Sequence, residues 1–109
     1  MVIMVVGNGC DYNPSVLEKT RELLKSKFDI NDFVFNMHTD TNEVVTLLES
    51  SNNNCVVITD IQYFTANKQN ELTAFVEKAS DKKIVVLLVD RNSNKENPLT
   101  KLAKYKFEV

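Results

Sequence analysis

Glycine is scarce in this chain: two occur in 109 residues, Gly7 and Gly9, both in one loop. That concentration makes each positional, so that either a positive φ is required there or another group comes close to the backbone. Histidine occurs once, as His38, and any Ser-His-Asp or Cys-His device would have to be built around that single ring. The two cysteines, Cys10 and Cys55, lack zinc-ligand spacing. They also suit a bridge poorly. Cys10 follows the carboxyl end of one strand-like run and Cys55 begins another, whereas a disulfide needs Cα atoms within about 7 Å. No apolar run approaches the roughly 20 residues of a membrane span. The apolar start Met1–Val6 has no basic residue before it, which suits a first strand better than a signal peptide. An excess of positive charge is missing too: the formal net charge is −2, which argues against a dominant attraction to DNA or to a membrane. These absences point to a cytoplasmic protein with no membrane partner and no strong direct nucleic-acid binding.

What is present is an alternation. Apolar runs at Val2–Val6, Phe33–Met37, Cys55–Ile58 and Ile84–Val89 are separated by amphipathic segments, the pattern of a parallel sheet covered by helices on both faces. The length suits one α/β domain over residues 1–109. A first helix is expected from Pro14 with Asn13 as cap, or from Ser15, whose spacing to Glu18 makes a capping box. Val16, Leu17, Thr20, Leu23 and Leu24 form its inner stripe. A short second helix starts at Asp40 or Thr41 and buries Val44, Val45, Leu47 and Leu48. A third runs over residues 66–79 with Leu72, Phe75, Val76 and Ala79 inward, and a fourth starts at Asn97-Pro98 with Leu99, Leu102 and Ala103 inward. The alternating end, Tyr105 to Val109, reads as a final edge strand, which gives a three-layer sandwich around a five-stranded, mainly parallel sheet.

The chemistry-bearing residues gather at strand ends. Asp60 ends the third strand, Asp90 ends the fourth and Asp11 lies in the first loop, so a parallel sheet brings all three toward its carboxyl edge. Together with Gly7 and Gly9 they outline a vestigial anion or cation site, in which oxygen ligands would suit a hard cation. Solvated strand ends and turn-forming aspartates are the simpler reading of the same residues. An apolar run that ends in Asp, as Cys55 to Asp60 does, is where P-loop proteins place a magnesium-binding carboxylate. The accompanying loop fails to match. The phosphate-loop pattern G-x-x-x-x-G-K-[ST], laid on Gly7, puts Tyr12, Asn13 and Pro14 where Gly, Lys and Ser/Thr are required. The dinucleotide fingerprint fits Gly7 and Gly9 but meets Tyr12 at its third glycine. No catalytic residue, cofactor or metal is therefore expected, and the chain reads as a non-enzyme with degenerate nucleotide motifs. Ile61, Tyr63 and Phe64 after Asp60 read as core, with an exposed contact surface as the alternative.

With these elements placed, the chain resembles the N-terminal ATPase-like domain of the delta subunit of the bacterial DNA polymerase III clamp loader, a degenerate AAA+ type. The likeness is spread over a first strand and loop feeding a helix (Val2 to Leu24), Asn31-Asp32-Phe33 and Thr39-Asp40-Thr41 before a short leucine-bearing helix, and Val56 to Asp60. It continues through the helix around Leu72 to Val76, and through Ile84 to Asp90 followed by Asn97 to Lys106. The resemblance implies a non-catalytic protein-interaction module of the replication machinery, with a sliding clamp or clamp-loader subunit as partner. One departure is plain: where that family carries an apolar wedge, this chain has Ser50-Ser51-Asn52-Asn53-Asn54. The strand and Ile61-Gln62-Tyr63-Phe64 also resemble replication-initiator ATPases and thymidine kinases, both of which need the phosphate loop. Two rivals come from other classes. A receiver-like signalling domain would use Asp60 as phosphoacceptor, but Gly7 and Asn8 stand where its acidic pair belongs. A flavodoxin-like module would bind a small ligand near Gly7 to Ser15.

Overall fold

The computed structural model describes residues 1–9, 13–93 and 97–109. Five strands, β1 (Val2–Gly7), β2 (Val34–Phe35), β3 (Cys55–Ile58), β4 (Ile84–Asp90) and β5 (Tyr105–Glu108), alternate with helices α1 (Pro14–Phe28), α2 (Thr41–Glu49) and α3 (Ala66–Ser80). All strand pairs are parallel, and the sheet order is β2-β3-β4-β1-β5. The strand reading succeeds because β1, β3 and the middle of β4 are buried on both faces, and a parallel strand so covered has no polar alternation.

The pleat divides the apolar side chains between two layers. Val2, Met4, Val6, Val56, Ile58, Val85, Leu87 and Val89 face Val44 and Leu48 of α2 and Leu72 and Val76 of α3. Ile3, Val5, Val57, Val86 and Leu88 face Val16 and Leu24 of α1. Successive strand residues point to opposite faces, so the runs of valine, isoleucine and leucine feed both layers at once. The result is an α/β sandwich with α1 on one side and α2 and α3 on the other.

Each helix starts where a capping side chain allows. Asn13 accepts a hydrogen bond from the Ser15 amide at 3.0 Å with Pro14 at the first helical position, the first of the two starts foreseen for α1. Its buried positions Val16, Thr20 and Leu24 fall one turn apart, and Thr20 Oγ1 donates back to the Val16 carbonyl at 2.8 Å, so the hydroxyl is satisfied inside the core. Asp40 caps α2 through the Asn42 amide at 2.9 Å, and Glu43 accepts from the Met37 amide at 3.0 Å, which ties the preceding loop to the first turn. Thr65 caps α3 through the Lys68 amide at 3.2 Å.

Three expectations need correction. The fourth helix is a single 3-10 turn, Thr100–Leu102. Leu99 is fully buried, but the Lys104 amide already donates to the Val2 carbonyl at 2.8 Å, so the chain enters β5 before a second turn can form. The second strand is two residues rather than five, because Asn36 leaves the ladder to bond the end of β3. Phe75, expected inward on α3, is 37% exposed. Among the described residues no helix is long and apolar enough to cross a membrane.

Candidate functional site at the carboxyl edge

In an open parallel sheet, ligands sit in a crevice outside the carboxyl ends of the strands. Here the sheet brings Gly7, Asp60 and Asp90 to that edge, with Gly7 in register with Asp90. The two glycines turn out to serve different needs. A Cβ on Gly7 would lie 2.8 Å from Val16 Cγ1 and 3.3 Å from Val109 Cγ2, so the absent side chain is what lets α1 and the end of β5 close over β1. A Cβ on Gly9 would meet, among the described residues, only Asn13 Nδ2 at 3.8 Å, but the φ of Gly9 is +61°, a conformation glycine adopts readily. One glycine answers a close approach and the other a left-handed turn.

The loop's own side chains then occupy the surroundings. Arg91 Nη1 donates to Asn8 Oδ1 at 3.1 Å, and its Nη2 donates to the Val109 carbonyl at 3.4 Å. Asn13 Nδ2 donates to the Asn8 carbonyl at 3.4 Å. The first turn of α1, where amide groups and the helix dipole favour an anion, gives its Ser15 donor to the Asn13 cap. Cys10, Asp11 and Tyr12, on which part of the phosphate-loop comparison falls, lie outside the described residues.

At the end of β3 a buried polar clamp joins two loops. Asn36 and Thr59 are both fully buried. Asn36 Oδ1 accepts from the Thr59 amide at 2.7 Å and from Thr59 Oγ1 at 3.2 Å, while Asn36 Nδ2 donates to the His38 carbonyl at 3.0 Å. Each buried donor and acceptor so paired avoids a desolvation penalty of about 1–3 kcal/mol. Asp60 follows with φ +57° and is 1% exposed, a left-handed position that aspartate tolerates better than most residues. Its carbonyl accepts from the Tyr63 amide at 2.9 Å, which starts the 3-10 turn Ile61–Tyr63. Gln69 Nε2 of α3 closes that turn by donating to the Ile61 and Phe64 carbonyls at 3.3 and 3.0 Å. Ile61 and Phe64 are core, as expected, whereas Tyr63 is 56% exposed.

Asp90 is used locally. Its Oδ1 accepts from the Asn92 amide at 3.0 Å, and its own amide donates to Gln62 Oε1 at 3.4 Å, which links the turn after β3 to the end of β4. Among the described residues no group of three or more His, Cys, Asp or Glu is placed to hold a metal ion; Asp11, the third member of the expected acidic set, is outside them. His38 is exposed on the loop before α2. Cys55 is a free, buried thiol at the opposite end of β3, and burial pushes its pKa up to about 11, which makes it inert rather than nucleophilic.

Sequence reasoning missed the Asn36–Thr59 clamp and the Arg91 contacts. A polar Asn inside the run Phe33–Met37 was the available signal for the first. Arg91, directly after Asp90, carried no local pattern. No protein-family model matches the chain, and no curated protein matches its sequence.

Proposed function

We propose that this chain is a non-catalytic, ATPase-like domain that works in the cytoplasm by protein–protein interaction with the DNA replication machinery, on a sliding clamp or a clamp-loader subunit. The observation that carries the non-catalytic part is that the described flanks of the loop after β1, residues 7–9 and 13–16, are packed and hydrogen-bonded within the domain itself. Val16 and Val109 close on Gly7, Asn13 takes the first amide of α1, and Arg91 is tied to Asn8 and Val109. A phosphate cradle needs backbone N–H groups turned to the ligand, and the Ser15 amide is already given to the cap. The order β2-β3-β4-β1-β5 supports the ATPase-like arrangement, since the strand that carries the loop lies between β4 and β5. The same order opposes both rivals, because flavodoxin-like and receiver-like sheets run 2-1-3-4-5 with β1 beside β2 and β3. The replication assignment itself draws on the resemblance spread along the chain.

The test is direct binding of purified chain to purified sliding clamp and clamp-loader subunits by surface plasmon resonance, with ATP binding measured in parallel by equilibrium dialysis. Saturable binding to a replication protein together with no retention of ATP is the expected result. Retention of ATP with a magnesium dependence would overturn the non-catalytic part, and failure to bind any replication protein would overturn the partner.

A further inference from the structure

The geometry points to a docking groove between the carboxyl-terminal ends of α2 and α3 that takes an acidic peptide segment carrying one large apolar side chain. The groove measures about 370 Å³. Its floor is Leu48 of α2 with Phe75 and Ala79 of α3, and Lys78, Lys82 and Lys83 stand around it. Phe75 is the observation that starts the argument. Its stripe neighbours Leu72 and Val76 are fully buried, whereas Phe75 stays 37% exposed at the base of the concavity. Exposed aromatic rings that sit in a recess are the commonest anchors of protein recognition.

Charge then selects the occupant. Among the described residues the ion pairs are those of Arg21 with Glu18 and Asp32, so Lys78 and Lys82 have no acidic partner among them, and both are exposed. Lys83 donates to the Ser50 carbonyl, which closes the end of α2 and fixes one wall. Glu49 is the single acidic side chain of the lining. The groove is therefore cationic at its rim and apolar at its base, on a chain whose net charge is −2. An acidic segment would be steered to the rim and held by an apolar side chain set against Phe75 and Leu48. Single-stranded nucleic acid is the less fitting occupant, because it stacks successive bases on several aromatic rings and Phe75 is the one ring here, beside a carboxylate.

This assignment rests on the interaction-module reading and gives it a surface. The test uses a fluorescein-labelled peptide of alternating Glu and Ser around one central Phe, in fluorescence anisotropy with the full chain. Binding should weaken about ten-fold in Lys78→Glu/Lys82→Glu, about five-fold in Phe75→Ala, and by a similar factor when the central Phe of the probe is replaced by Ala. Chemical-shift changes of the bound chain should cluster at residues 48–54 and 75–83. Changes centred elsewhere, an affinity indifferent to both variants, equal binding of a probe with Arg in place of Glu, or tighter binding of labelled oligothymidine would each overturn the groove. A sliding clamp or loader subunit that binds the wild type and Lys78→Glu/Lys82→Glu alike would also overturn it while leaving the interaction reading in place. Peptide binding at the groove in a chain that binds no replication protein would support the groove and remove the replication partner.

Discussion

Substituting Gly7 by Ala separates a packing glycine from a ligand-cradling one. The added Cβ would stand 2.8 Å from Val16 Cγ1 and 3.3 Å from Val109 Cγ2, below any comfortable carbon–carbon contact, and Val16 is itself buried in the layer beneath α1. Forcing a methyl group into such a site costs about 1–3 kcal/mol. Reduced freedom of the unfolded chain offsets about 0.4–1 kcal/mol of that, which leaves a net loss of about 1–2 kcal/mol. Urea unfolding followed by circular dichroism measures this directly, and the thermal midpoint should fall by roughly 4–8 °C for each kcal/mol. The sharper readout is a cycle with Val16→Ala. Alone, that truncation costs about 2 kcal/mol; combined with Gly7→Ala it opens the space the new methyl needs, so the double variant should be more stable than the sum of the singles by about 1 kcal/mol. Gly9→Ala should lose about 1 kcal/mol through its φ of +61° and show no coupling to Val16, because strain in the backbone is not relieved by space. A neutral Gly7→Ala, or a strictly additive cycle with Val16, would refute the close-approach argument.

Asn36→Ala removes the acceptor of the Thr59 amide and the donor to His38, leaves the Thr59 hydroxyl the backbone carbonyl at position 36, and should cost about 1–3 kcal/mol in urea unfolding; a loss under about 0.5 kcal/mol would show that the clamp is dispensable. Asp60→Asn should keep both the fold and any partner binding, since Asn accepts a φ of +57°, whereas Asp60→Val should lose about 1–2 kcal/mol; equal stability of the two would remove backbone conformation as the reason for the residue. Cys55 gives a pH test. Its folded pKa, about 11, lies above the ordinary 9.0, so stability is fully present below pH 9 and falls as the pH climbs toward 11, by at most about 1.4 kcal/mol per pH unit. In a Cys10→Ser background, replacing Cys55 by Ala should flatten that fall, and an unchanged slope would assign it to other groups.

The strands and helix starts were legible because the signals are local. The strands Val2–Gly7 and Ile84–Asp90 announce themselves through the unbroken apolar runs Val2–Val6 and Ile84–Val89, and Asn13-Pro14 and Asp40 are caps whose partners lie two residues on. Periodicity failed where a helix is limited by its exit rather than its entry: Leu99, Leu102 and Ala103 have helical spacing, but β5 begins too soon after them for more than one turn. Phe75 failed for a related reason. It lies on the margin of the buried stripe Leu72, Val76 and Ala79, and spacing alone does not say how far round a helix its neighbour reaches. The site was legible only as a set of positions at one edge. Asn36 and Thr59 are 23 residues apart, and which of the two glycines served conformation and which served packing depended on Val16 and Val109, which no spacing rule connects to Gly7.

The position of β4 explains how the carboxyl edge of the sheet is tied together. It lies between β1 and β3, so the loops that follow those two strands are held apart by the end of β4 and must be joined through it. Gly7 does so by ladder pairing opposite Asp90, and the turn after β3 does so through Gln62, which accepts the Asp90 amide. Arg91 then reaches Asn8 and the Val109 carbonyl. Side chains from β4's exit thereby supply contacts at this edge from within the fold. The proposed groove lies at the opposite end of the domain, where α2 and α3 finish. Helices of this parallel fold run against the strands, so the groove of Phe75 and its lysines lies at the amino edge. A partner bound there would leave the Gly7 loop untouched, and variants at the two ends should act independently.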